Sequence, residues 1–97
     1  MFYRVSPELY LRVASELLAK IGESAYFSGS VSLDDQDVTC RLTGSYIVYR
    51  QPVLLPEGAV CRVADIVPVW WEFHTFADQG EIDNDFSFRE LRPLIAC

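Results

Sequence analysis

His74 is the only histidine in the 97-residue sequence, so it is the only side chain whose ordinary pKa lies close to neutral pH. Glu72 lies two residues before it, and the two side chains share a face if this segment is a strand. A carboxylate beside an imidazole can orient the ring for general acid–base catalysis. His74 and Glu72 are therefore the candidate catalytic pair of a small enzyme or ligand-binding protein.

The competing explanation for His74 is a surface or partly buried histidine beside an acid. No G-x-S-x-G or H-E-x-x-H motif supplies a nucleophile or a metal site for it. Cys40 or Cys61 could act as the nucleophile only if the fold brought one of them next to His74. The sequence therefore leaves catalysis as the second of two functional hypotheses.

The cysteines indicate the compartment. Cys40, Cys61 and Cys97 are odd in number and widely spaced, whereas small secreted domains usually carry an even disulfide framework. We expect reduced thiols, two of them packed in a sheet. No signal-peptide pattern opens the sequence, and no apolar run approaches the roughly 20 residues that span a bilayer. These observations predict a cytoplasmic protein with no membrane partner.

Acidic residues dominate the second half of the chain. Residues 51–97 carry eight acidic and three basic groups, against six and five in residues 1–50. Nucleic-acid binding usually needs a basic patch, and the basic residues here are scattered, so we expect no nucleic-acid partner. The acidic residues of the segment 78–85 lack the spacing of an EF-hand loop; they are Asp78, Glu81, Asp83 and Asp85. His74 and the cysteines lack the closely paired spacing of zinc sites. We therefore predict no metal ion and no cofactor.

One helix is strongly predicted over residues 6–21. Ser6 suits the N-cap, Pro7 the first helical position, and Gly22 the left-handed position that ends a helix. Apolar residues recur there at steps of three and four and form a single stripe, made up of Leu9, Tyr10, Val13, Ala14, Leu17, Leu18 and Ile21.

Beyond the helix the apolar residues alternate, which is typical of half-buried strands. Residues 26–33 and 38–49 predict a hairpin around a polar turn at 34–37, with Gly44 as a bulge. Residues 52–58 contain Pro52, Pro56 and Gly58 and predict a loop. Residues 59–76 read as extended chain that Pro68 either divides into two strands or bends at an edge.

The segment after a turn at residues 78–80 is open to two interpretations. Residues 81–88 could form a last strand. Alternatively, Ser87 and Glu90 could form a capping box that opens a short helical turn, which Pro93 would prevent from extending. The whole pattern predicts a single α+β domain over residues 1–97, with one N-terminal amphipathic helix packed on an antiparallel sheet of four to five strands.

Trp70 and Trp71 are adjacent, so a regular strand points them to opposite faces. The odd-numbered residues of this segment are the more apolar and are predicted to face the helix: Val67, Val69, Trp71, Phe73 and Thr75. The even-numbered set then lies on the other sheet face, together with polar residues of the hairpin. Candidate binding residues on that face are Tyr26, Arg41, Trp70 and Phe76.

These aromatic side chains favour an interaction or regulatory module that is not an enzyme and that binds a protein partner through this sheet face, with a second copy of the chain, in a homodimer, as the preferred partner. The alternative cover for Trp70 is the C-terminal segment, residues 91–95, folding back within the monomer. A flat apolar face would favour the module, whereas a pocket that contains His74 and a second reactive group would favour the enzyme.

Overall fold

The computed structural model describes residues 2–95, so Met1 and the third cysteine, Cys97, lie outside the described residues. The α+β class is confirmed, because two helices and five strands are present. Along the chain the elements are β1 (Phe2–Tyr3), α1 (Pro7–Ile21), β2 (Tyr26–Asp35), β3 (Val38–Leu55), β4 (Gly58–Ala77), β5 (Gly80–Asn84) and α2 (Phe88–Ile95).

Helix α1 begins and ends where the sequence predicts. The Ser6 hydroxyl accepts a hydrogen bond from the Leu9 N–H at 3.1 Å, which satisfies one of the free donors of the first turn. Gly22 adopts φ 57°, and its N–H donates to the Leu18 carbonyl at 3.1 Å. The buried stripe comprises Leu9, Val13, Ala14, Leu17 and Ile21.

The sheet is mixed, which corrects the predicted antiparallel sheet. Its strand order is β1-β5-β4-β3-β2, and all neighbours are antiparallel except β1 and β5. Phe2 and Tyr3 pair in parallel with Asp83 and Asn84, and the Asp85 carboxylate accepts the Val5 N–H at 2.7 Å. The paired residues are about eighty positions apart in the sequence, so the local alternation of apolar residues does not reveal whether β1 and β5 pair in parallel or antiparallel.

The prediction of a single, N-terminal helix is also wrong, because α1 follows strand β1 and α2 is a second helix. Both interpretations of the last segment hold in part, since β5 is followed directly by α2. Pro93 lies inside α2 and does not stop it before Ile95. Proline removes one backbone donor, and the apolar residues Phe88, Leu91 and Ile95 compensate by packing into the core.

Strands β3 and β4 form a hairpin that extends through most of the predicted loop at residues 52–58. Pro52 pairs with Cys61 and does not open a loop, so the strands continue to Leu55 and Gly58. Gly44 is no bulge either, because it pairs regularly with Gly29 and with Trp71. Two register shifts lie in β4. At one, Tyr49 pairs with Asp65 but Arg50 pairs with Val63; at the other, Ser45 pairs with Trp70 but Tyr46 pairs with Pro68.

The shift between Ser45 and Tyr46 leaves Val69 unpaired. It reverses which side chains of β4 face the core, from Pro68 back to the other shift. Ile66 therefore packs in the core, whereas Val67 pairs with Ile47 and Val69 is exposed. The prediction that Val67 and Val69 face the helix is wrong for this reason.

Both helices pack on one side of the sheet, which we call the inner face. Phe88 of α2 stacks on Tyr46 with ring centroids 5.4 Å apart, and Phe86 stacks on Phe73 at 3.9 Å. The helices contact each other there and enclose the core with side chains that include Val31, Leu42, Tyr46, Ile66 and Phe73. The opposite side of the sheet is called the outer face.

Candidate functional site

The four predicted binding residues all lie on the outer face. Strand register places Tyr26 opposite Ile47, Arg41 opposite His74, Ser45 opposite Trp70, and Thr39 opposite Phe76. Residues directly opposite each other in a sheet share a face. The structure does not bring the four together, because Trp70 and Phe76 are six residues apart on one strand, a distance of about 20 Å.

Apolar side chains cluster at one end of the outer face and form what we call the aromatic patch. Four of its members expose between 38% and 54% of their surface, namely Tyr26, Ile47, Tyr49 and Trp70, and Val67 joins them opposite Ile47. Sequence reasoning missed Ile47 and Tyr49. The alternation of β3 could have found them, because both have the same parity as Arg41.

Small hydroxyl side chains occupy the middle of the outer face. The Ser28 and Ser45 hydroxyls lie 2.9 Å apart, and those of Ser30 and Thr43 lie 2.8 Å apart across neighbouring strands. The Ser30–Thr43 hydrogen bond is exposed, as expected for the solvated side of an antiparallel pair, whereas Ser45 is buried and its hydroxyl is satisfied by Ser28.

His74 lies toward the other end, between two carboxylates. Its Nδ1 is 2.9 Å from a Glu81 oxygen, and its Nε2 is 3.3 Å from a Glu72 oxygen. Glu72 is thus a neighbour of His74, as the sequence predicts. Sequence reasoning missed Glu81, although a tight turn before β5 would have indicated that Glu81 lies close to His74. Arg41 reaches the adjacent Phe76, with its guanidinium carbon 5.7 Å from the ring centroid.

The two carboxylates raise the pKa of His74, Glu81 having the larger effect and Glu72 the smaller. Both ring nitrogens can donate only when the imidazole is protonated, so these contacts favour the charged form. The carboxylates approach opposite nitrogens of one ring and do not converge on a common point. Within residues 2–95 no cluster of three or more His, Cys, Asp or Glu side chains has the arrangement of a metal site.

The charge state of His74 can be measured directly. We expect an NMR titration to place its pKa above the ordinary value of about 6.5. Glu81→Gln should lower the pKa more than the matched variant Glu72→Gln. Because the folded-state pKa is raised, the associated stability is present at low pH and is lost as pH rises through that pKa. A wild-type value at or below about 6.5 would contradict this arrangement.

A separate groove runs between α2 and the free edge of β4, and the sequence did not indicate it. Arg92 donates two hydrogen bonds to the Asp65 carboxylate, at 2.8 and 2.6 Å, which lowers the pKa of Asp65. Trp71 lines the same groove beside Phe88. This ion pair attaches α2 to the sheet, and we assign the groove a structural role.

The C-terminal helix does not cover the outer face. Leu91 and Ile95 are buried with α1 on the inner face, on the other side of the sheet from Trp70. Cys40 is a buried free thiol, as expected for a cysteine in the sheet, whereas Cys61 is a free thiol that is exposed near the end of the hairpin.

The fold and the face together define a small α+β domain with one covered and one open sheet face. Comparison with protein-family models, with curated proteins and with solved structures found no match. Neither described helix has the length and apolar character that a membrane crossing requires.

Proposed function

We propose that this protein is an interaction module of the cytoplasm, without enzymatic activity, that associates with a second copy of itself through the outer face. The observation that carries the proposal is the aromatic patch: four large apolar side chains are exposed side by side, and no helix of residues 2–95 lies over them. A twofold pair is the commonest way for a soluble chain to cover such a surface.

The energetic argument rests on the size of these side chains. Burying one large apolar side chain contributes about 1.5–3 kcal/mol. Aromatic residues are also enriched at the centres of protein interfaces. Phe76 and Arg41 lie farther along the same face, where they contact each other and form the edge of the proposed contact. The free thiols Cys40 and Cys61 support the cytoplasmic location.

The geometry around His74 favours the module over the enzyme. His74 lines none of the three surface depressions described within residues 2–95. Its two ring nitrogens are already engaged by Glu72 and Glu81, and Cys40 is buried on the inner face. General acid–base chemistry needs a group that can reach substrate in a site that holds it.

Light scattering over a range of protein concentrations tests the proposal. We expect the wild type to reach at least twice the monomer mass of 11.1 kDa, and Trp70→Ser to shift the midpoint of this association to about tenfold higher concentration or more. Leu54→Ser is the matched control, because Leu54 is exposed near the tip of the hairpin and outside the aromatic patch.

A second readout is ionic strength. Each chain carries a formal charge of −6, so two copies repel each other, and added salt should strengthen the association. A wild type that remains a monomer at all accessible concentrations would overturn the proposal. So would an assembly mass that is the same for Trp70→Ser and the wild type at every concentration.

A further inference from the structure

Strand β2 forms one edge of the sheet along its whole length. It pairs with β3 through ten consecutive residues without a bulge, and no strand of residues 2–95 lies on its other side. Protein sheets usually protect such an edge with proline, lysine, a bulge or a covering element. Residues 26–35 contain no proline and no basic residue.

Protection of this edge is confined to one end. The Arg12 side chain of α1 donates a hydrogen bond to the Asp34 carbonyl at 2.8 Å. The only charged side chains of the strand, Asp34 and Asp35, lie at that same end. The middle of the strand, residues 28–32, carries only glycine, valine and serine, and its three serines are exposed, so none of the usual protecting residues lies there.

The sequence of this strand is close to symmetric about Ser30. Two copies paired antiparallel about that residue place Ser28 opposite Ser32, and Phe27 opposite Leu33. Gly29 and Val31 are then opposite as well, and every inner-face residue remains opposite an inner-face residue. Moving the centre to Val31 would place apolar Phe27 opposite Asp35, and moving it to Gly29 would place two glycines together.

The charge of Asp34 also favours the antiparallel orientation of two β2 strands. In the antiparallel pair, Asp34 of one chain lies opposite Tyr26 of the other, at the far end from the partner's Asp34. A parallel pair would place the aspartates side by side, where like charges directly opposite each other are destabilising.

From these observations we infer that β2 pairs antiparallel with β2 of a second copy, centred on Ser30, so that two five-stranded sheets become one of ten strands. This contact uses backbone groups at the sheet edge and not the side chains of the aromatic patch, so it goes beyond the proposed function and can fail separately. If both contacts form, each chain has two interfaces with copies of itself.

Disulfide trapping tests the register. The parent variant carries Cys61→Ser and Cys97→Ser and retains the buried Cys40. Directly opposed residues in an antiparallel pair have Cα atoms about 4.5–5.5 Å apart, which a disulfide can join. Ser30→Cys should therefore give a covalent dimer under mild oxidation. Ser32→Cys alone should not, because its own copies would lie about 13 Å apart.

A mixture of Ser28→Cys and Ser32→Cys should cross-link in the mixed pair and in neither variant alone. The same Ser30→Cys experiment in a Trp70→Ser background should still give the covalent dimer, which separates this contact from the one on the outer face. The absence of a Ser30 cross-link in the folded protein would overturn the inference, as would equal cross-linking of Ser30→Cys and Ser32→Cys. Circular dichroism of each variant establishes that it is folded.

Discussion

Replacement of Leu17 by alanine should lower the free energy of unfolding by about 2–5 kcal/mol. Leu17 is fully buried between α1 and the inner face of the sheet, so the truncation removes apolar contacts and leaves a cavity. Domains of this size are stabilised by roughly 5–15 kcal/mol in total. The loss is therefore a large fraction of the available stability and should be evident in a chemical denaturation curve.

Leu11→Ala is the matched control for this substitution. Leu11 belongs to the same helix but is 57% exposed, so the identical change should alter the free energy of unfolding by no more than about 0.5 kcal/mol. An unchanged denaturation midpoint for Leu17→Ala would show that α1 does not pack on the sheet as described. Equal losses for the two variants would show the same.

Gly44→Ala is the second change with a large expected effect, a loss of about 1–3 kcal/mol in the free energy of unfolding. A Cβ at position 44 would lie 2.6 Å from the Trp70 carbonyl oxygen and 2.6 Å from the Tyr46 hydroxyl. The first contact is with the backbone of the neighbouring strand, so a side-chain rotation does not relieve it. Tyr46 is fully buried beneath Phe88 and has little room to move.

Gly29→Ala provides the comparison, because Gly29 pairs with Gly44 on the adjacent strand. A Cβ there would meet only the outer end of the Phe27 ring, at 2.9 Å, and a small ring movement accommodates it. We expect a clearly smaller loss for Gly29→Ala than for Gly44→Ala in paired thermal or chemical denaturation. The reverse order would contradict the described position of Tyr46 over Gly44.

Elements determined by neighbouring residues could be predicted from the sequence. The cap at Ser6, the stop at Gly22 and the stripe between them depend on contacts within a few residues, and α1 matches its prediction. The unpaired Val69 depends on how β4 fits β3, and one extra residue reverses which side chains face the core. The parallel pairing of β1 with β5 depends on residues about eighty positions apart.

In the candidate site, too, features set by neighbouring residues could be predicted and features set by the pairing of different elements could not. Alternation placed Tyr26, Arg41, Trp70 and Phe76 on one face, because a strand fixes the side of each residue. It did not give their separation, because that depends on the register between strands. Two contacts of this face and its edge join residues from different elements, namely Glu81 with His74 and Asp65 with Arg92. Local sequence patterns carried no signal for the Asp65–Arg92 ion pair.

The pairing of β1 with β5 also determines the order in which the molecule is assembled. The two hairpins of β2, β3 and β4 close through short turns, whereas the bond between Val5 and Asp85 spans 80 residues. Each doubling of a closed loop adds only about 0.6 kcal/mol of entropic cost, but long-range contacts slow folding. We therefore expect strand β1 to dock late, after the meander and the helices have formed the surface that receives it. Because only two of its residues pair with β5, we also expect it to open more readily in the native state than the long hairpins, which hydrogen exchange can measure.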